Sequence, residues 1–250
     1  MADLNGPPAG GGGHGEGHRH KHHDHHGGKY AWSAEEAEHF LVHVCRGARR
    51  AYAPMVALVE SHLQGAAGAP TVLDLGCGPG LMLLELRRAL PRARLVGVDP
   101  SRDMLALARR VASESEASGG APAFEVRQGS GEALPVEDTS VDVVTCRKVL
   151  HELDDVEATL REVARVLRPG GALVLQDFDG AYPRWRLRLL ATAARVRGRD
   201  AAERVTRPFE DALALEEVVA LCEGVGLRAA RAERRGRHLT VVAKRSGDAS

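Results

Sequence analysis

Residues 72–80 read VLDLGCGPG, and the ten that follow read LMLLELRRAL. An apolar run gives way to glycine at positions 76, 78 and 80, and then to a leucine pattern of helical period. A short apolar run closed by glycine is a strand signal, and the leucine pattern is an amphipathic helix. Glycine lets the backbone take positive φ and come close to a ligand. The helix start offers free N–H groups and a partial positive charge. About twenty residues on, RLVGVDPS makes a second strand that ends at Asp99, where a carboxylate can take both hydroxyls of a ribose. The glycine spacing is G-x-G-x-G, with Leu81 where a dinucleotide fingerprint wants a third glycine. Asp74, inside the strand end, is out of place beside a pyrophosphate and suits a ligand carrying an ammonium group.

Outward from this unit the pattern alternates. Strands are expected at 71–75, 94–98, 124–127, 141–146 and 172–176, with helices at 81–90, 101–118 and 156–167. Pro169-Gly170-Gly171 reads as the turn into the fifth strand. Strands alternating with helices imply a parallel, doubly wound sheet with right-handed crossovers. The end differs: a helix at 213–225 precedes strands at 227–234 and 238–244, joined so tightly at Arg235-Gly236 that they must pair antiparallel. The expected fold is therefore α/β, a mostly parallel seven-stranded sheet with one antiparallel strand near the C-terminus. Residues 30–68 read as N-terminal helices over the site, with Ser33 and Glu36 as a capping box. Residues 69–246 form the main domain, in which 182–212 are lid or acceptor-pocket helices.

Composition bounds the function. A chain of 250 residues holds one large α/β domain or two small ones. With 34 basic and 34 acidic residues the net charge is zero, which gives no drive towards nucleic acid. Cys45, Cys77, Cys146 and Cys222 are too scattered for a disulfide framework or a thiolate metal site, and suit a reducing cytoplasm. The N-terminus has no apolar signal core, and no apolar run is long enough to span a membrane. Residues 1–29 are a histidine- and glycine-rich tail, expected to be disordered because it has nothing to bury. Its seven histidines include His18, His20, His22, His23, His25 and His26, expected to chelate divalent metal weakly. Arg19 and Lys21 oppose that binding, and no metal site is expected in the core.

Five motifs in order, VLDLGCGPG, VGVDPS, GSGEALPVEDTSVDVV, KVLHEL and LRPGGALVL, resemble the class I S-adenosylmethionine-dependent methyltransferases. The likeness is to the type 11 group around the ubiquinone/menaquinone C-methyltransferases. It covers residues 70–178 well and implies a Rossmann-like fold, S-adenosyl-L-methionine as cofactor and methyl transfer by direct displacement. By this resemblance Asp74, Gly76, Cys77, Gly78 and Gly80 hold the methionine part and Asp99 the ribose. Ser101 and Met104 flank the adenine, and Cys146 and Arg147 line the sulfonium and face the acceptor. The family often has an Asp in the third-strand loop as acceptor for the adenine amino group. Here the loop reads Gly129-Ser130-Gly131-Glu132-Ala133, and Ser130 accepts more weakly than a carboxylate.

His151, in KVLHEL, is a candidate general base for an acceptor that must lose a proton. Residues 184–199, RWRLRLLATAARVRGR, fit either a peripheral contact with anionic membrane or a solvated helix over the site with Trp and Leu inward. We take the second, with Tyr182 and Trp185 as acceptor contacts. The expected partner is a small-molecule methyl acceptor. The rivals are a macromolecular substrate and a metal-responsive binding protein that uses the tail.

Overall fold

The sheet runs in the order β3-β2-β1-β4-β5-β7-β6. The computed structural model describes Glu35, Glu38 and residues 47–65, 68–117 and 124–247. Along the chain come α1 (Ala48–Leu63), β1 (Thr71–Leu75), α2 (Leu81–Ala89), β2 (Arg94–Asp99), α3 (Arg102–Ala117) and β3 (Glu125–Gln128). There follow β4 (Val141–Arg147), α4 (Val156–Val166), β5 (Leu167–Phe178), α5 (Arg184–Ala194), α6 (Arg199–Thr206), α7 (Leu215–Gly224), β6 (Leu227–Arg235) and β7 (His238–Arg245). β1 to β5 pair parallel, and β7 is the reversed strand, antiparallel to both β5 and β6. This is the expected sheet, with β7 inserted between β5 and β6.

Alternate residues of each central strand face opposite layers, because side chains in a strand have a period of two. Val72, Val143 and Val174 pack towards α1, α2 and α3, with Met55, Val59 and Leu86. Leu73, Leu75, Val144, Leu173 and Leu175 pack towards α4 and α7, with Leu160, Val163, Val218 and Cys222. Both faces are covered, which is why the strands read as apolar runs. The same alternation turns Asp74 and Thr145 to the α1–α3 face. The chain winds outward from β1 on one side and from β4 on the other, so a crevice opens at their carboxyl ends.

The structure departs from expectation at two places. Pro169-Gly170-Gly171 does not precede the fifth strand but bulges within it: Val141 pairs with Leu167 and Val143 with Ala172, leaving residues 168–171 out of register. The bulge is held by Arg168, whose guanidinium donates to Asp142 at 2.7 Å, while Asp142 accepts from the Thr71 N–H at 2.7 Å. In α5 only Leu187 turns inward, at 4% exposure, whereas Trp185 is 60% and Leu189 62% exposed. The inward expectation for Trp185 was wrong because Phe178, Phe209 and Tyr182 already fill the space beneath α5. The capping box at Ser33 and the histidine tail lie outside the described residues.

Candidate active site

The strand β1 ends in a loop that only glycine can make. Gly76, Gly78 and Gly80 have φ of 66°, 50° and 78°. At Gly76 there is a second constraint: a Cβ there would lie 2.3 Å from Val149 Cγ2. The Gly76→Ala chain should therefore lose roughly 2–4 kcal/mol from backbone strain and overpacking together. Gly224→Ala, with open space around its Cβ position, should stay within about 0.5 kcal/mol of the parent. Denaturant midpoints measure both, and equal midpoints would remove the packing argument.

Asp99 ends β2 and binds this loop directly. One carboxylate oxygen accepts from the Gly78 N–H and the other from the Ser101 N–H, both at 2.9 Å. Burial raises its pKa, against those two hydrogen bonds. Ser101 also caps α3, its hydroxyl accepting from the Met104 N–H at 3.3 Å. Met104 is buried, with its sulfur 3.9 Å from a Cβ built on Gly78.

Asp74 is 3% exposed, and the Thr145 hydroxyl donates to it at 2.6 Å. Burial pushes its pKa up to about 7, opposed by that hydrogen bond and by the Arg147 charge. Two buried acids, with one hydroxyl and two N–H groups between them, make a place that a cationic ligand would satisfy. Glycine backbone supplies the close approach. The residues present therefore fit S-adenosylmethionine, whose adenosine and ammonium match Asp99 and Asp74.

Other expected residues contribute differently. Cys77 packs under Gly97, where a Cβ would lie 2.7 Å from its sulfur. Cys146 is 1% exposed in the α4–α7 layer, opposite the face of Asp74 and Thr145. Burial drives both thiols well above the ordinary range. The expectation that the Cys146 side chain lines the crevice is thus corrected by strand alternation, which leaves the crevice its backbone. Arg147 turns to the α1 face, its Nε donating to Gln176 at 3.1 Å and its guanidinium carbon 4.6 Å from the Tyr52 ring centroid. Glu132 is exposed, and its carboxylate accepts from the Asp155 N–H at 3.3 Å. Ser130 and Ala133 form an isolated bridge, and Gly131 is buried against Thr159. This loop offers backbone and the Ser130 hydroxyl rather than the Glu132 carboxylate.

His151 sits on a 3₁₀ turn, Leu150–Glu152, and is 6% exposed. Its Nδ1 is 2.7 Å from Asp177, at the end of β5. Asp177 also accepts from the N–H groups of Leu150 at 2.7 Å and Phe178 at 2.6 Å. An acceptor-only carboxylate facing Nδ1 assigns the proton to that nitrogen and leaves Nε2 with a free lone pair. Burial pulls the imidazole pKa down, but the Asp177 hydrogen bond and charge outweigh it, and the net direction is up. Glu152 stands 3.8 Å from Nε2, and burial pushes its pKa up to about 7.

Asp177, Tyr52 and Lys148 went unseen in the sequence. Lys148 follows β4 with φ 58° and donates its N–H to Gln176 at 2.8 Å. Its Nζ lies 5.0 Å from the Phe178 ring centroid. Such a contact contributes about 0.5–2 kcal/mol. Burial, then the charges of Arg147 and Arg237, pull its pKa down to about 8.

The stretch that carries the glycine loop, Asp74, Asp99 and His151 resembles known proteins. Residues 73–175 match the family model described as a methyltransferase domain. A demethylmenaquinone methyltransferase of Deinococcus radiodurans is 39% identical over 107 residues, 43% of this chain and 42% of the relative. A trans-aconitate 2-methyltransferase of Azoarcus sp. is 39% identical over 108 residues, 43% of this chain and 39% of the relative. The chain spans less than half the length of the curated relatives it matches. In fold, the crystal structure of an S-adenosylmethionine-dependent methyltransferase from Aquifex aeolicus superposes with a TM-score of 0.61 at 19% identity, covering 86% of this chain and 99% of that one. Among the described residues no helix is long and apolar enough to cross a membrane. Residues 73–175 thus carry the likeness to the methyltransferase domain family, and the fold is the one seen in the Aquifex enzyme.

Proposed function

We propose that this protein is a cytoplasmic methyltransferase acting on a small-molecule acceptor. The carrying observation is the convergence, at the switch point of the sheet, of the glycine loop, Asp74, Asp99 and the His151–Asp177 pair. S-adenosylmethionine, when bound, supplies a methyl group on an excellent leaving group. The chain then has to align an acceptor with it, and orientation supplies much of the rate. Asp74 to Gly80 would hold the methionine part and Asp99 the ribose. Ser101 and Met104 would flank the adenine, with Ser130 to Ala133 at its edge. Arg147 and the Cys146 backbone would border the reactive end.

His151 would take the acceptor proton at Nε2. Asp177 keeps its ring in the required tautomer and orientation and stabilises the imidazolium that forms. The two acids beside the imidazole also favour its charge after transfer.

Calorimetry with S-adenosylhomocysteine tests the cofactor half: one site per chain is expected, and no heat at millimolar ligand sinks the reading. A panel of small acceptors, scored by S-adenosylhomocysteine formation, tests the acceptor half. Removing residues 1–29 should leave turnover of any acceptor so found within about threefold, since the binding groups named above all come from residues 74–177. A folded but inactive truncated chain would return the tail to the site, as the metal-responsive reading demands.

A further inference from the structure

Beyond the His151–Asp177 pair, three basic side chains gather on one aromatic ring. Lys148 Nζ is 5.0 Å, the Arg237 guanidinium carbon 6.0 Å and the His238 ring centroid 5.1 Å from the Phe178 ring centroid. They come from two distant stretches: the loop after β4 and the turn between β6 and β7. The reversed strand brings them together, because β7 pairs His238 opposite Phe178.

Asp177 is the acid whose charge reaches Lys148 and His238, and it forms no ion pair with either. Among the described residues Arg147, Lys148 and Arg237 form no ion pair, while Arg165, Arg168 and Arg234 each pair with acids. Asp177, the acid at hand, already accepts from two N–H groups and from His151. Asp179 is occupied by Arg234 at 2.7 Å. His238 Nε2 is buried with no hydrogen-bond partner. Burial, then the charges of Lys148, Arg237 and Arg147, pull its pKa down to about 4, so the imidazole is neutral and free to bond a ligand.

Nor is the position of Lys148 relaxed. Its φ of 58° is a left-handed conformation that a long side chain rarely takes. The Gln176 carbonyl and the seat of Val149 against Gly76 hold it there. Strain of this kind gathers at working sites. A cation over a phenylalanine face is too weak a contact to explain bringing two half-buried like charges together.

We propose that this cluster seats an anionic group of the methyl acceptor, with Lys148 and Arg237 bracketing a carboxylate or phosphate and His238 completing its hydrogen bonds. The proposal rests on the methyltransferase reading. It adds that the acceptor is an organic acid or a phosphate ester, bound by its charge beside Phe178. His151 meets the same ring edge-on, with centroids 5.2 Å apart, so the base stands beside the seat.

Ligand-observed and histidine-ring NMR titrations of the full chain, with S-adenosylhomocysteine present, test it using benzoate, phenyl phosphate and benzamide. Benzoate or phenyl phosphate should shift the His238 and His151 resonances, and benzamide should bind at least about tenfold more weakly. The tighter of the two anions identifies the class. Lys148→Asn tolerates the left-handed backbone and should weaken the anion about tenfold, as should Arg237→Met, while Lys148→Arg should stay within about threefold. Equal binding of benzamide, no binding of either anion, or anion binding untouched in both charge-removing variants overturns the seat. Calorimetry of S-adenosylhomocysteine alone, run beside it, shows separately whether the cofactor reading has failed.

Discussion

Asp99→Ala is expected to weaken S-adenosylhomocysteine binding by at least about a hundredfold, a loss of roughly 2.7 kcal/mol or more. The carboxylate has two duties. It fixes the N–H groups of Gly78 and Ser101, and so the shape of the loop and the start of α3. In the proposed binding mode its remaining lone pairs would take the two ribose hydroxyls. Alanine removes the charged acceptor and leaves two N–H groups near the crevice without their partner. Each loss is of order 1–3 kcal/mol, so the sum passes a hundredfold even if water recovers part of it. Asp99→Asn is no mild control, because its amide would point an N–H at one of two N–H donors. Calorimetry at matched pH, with circular dichroism to confirm the fold, measures the effect. Binding within about threefold of the parent would put the adenosine elsewhere.

The same crevice sets a pH dependence. Burial, against the Thr145 hydrogen bond and the Arg147 charge, pushes the Asp74 pKa up to about 7. A ligand ammonium favours the ionised acid, so affinity should rise as pH rises through about 7 and level above it. In Asp74→Asn that rise should vanish along with much of the affinity.

The strands and the glycine loop were legible in the sequence because their cause is local. A strand covered on both faces must be apolar throughout, and a loop with three residues at positive φ selects glycine. Asp99 was legible because its distance from the loop is set by one helix and one strand. Asp177 was not. Its meaning depends on the parallel pairing of β4 and β5, which sets Arg147 opposite Gln176 and brings the next residue of β5 level with the turn that carries His151. QDFDG alone offers two acids and no reason to prefer the first. Level strand ends were the available clue: once β4 and β5 are taken as neighbours, the residue after each end must share the crevice. Lys148 and His238 were hidden for the same reason, since the reversed strand that joins them leaves no mark at Lys148. Trp185 failed for another. The helical pattern shows a face but not which residues fill the space beneath it, and Phe178, Tyr182 and Phe209 come from outside the helix.

His151→Ala should lower kcat by about a hundredfold or more for an acceptor that loses a proton, while S-adenosylhomocysteine binding stays within about threefold. The reason is positional: no other imidazole on the described residues is held by a buried carboxylate. Asp177→Asn separates the base from mere packing. The Asp177 hydrogen bond and charge are what raise the His151 pKa against burial. With asparagine the imidazole loses its proton more easily, so the acid limb of kcat against pH should move to lower pH. The plateau should still fall, by about tenfold or more, because an amide does not hold Nδ1–H as firmly or stabilise the imidazolium. A structural His151 would give a lower plateau without moving the limb. Glu152 couples to the same titration at 3.8 Å, so the limb belongs to the cluster, and Glu152→Gln should shift it in the same direction by less. An acceptor methylated on a group that carries no proton at the working pH would show neither effect, and would limit His151 to shaping the pocket.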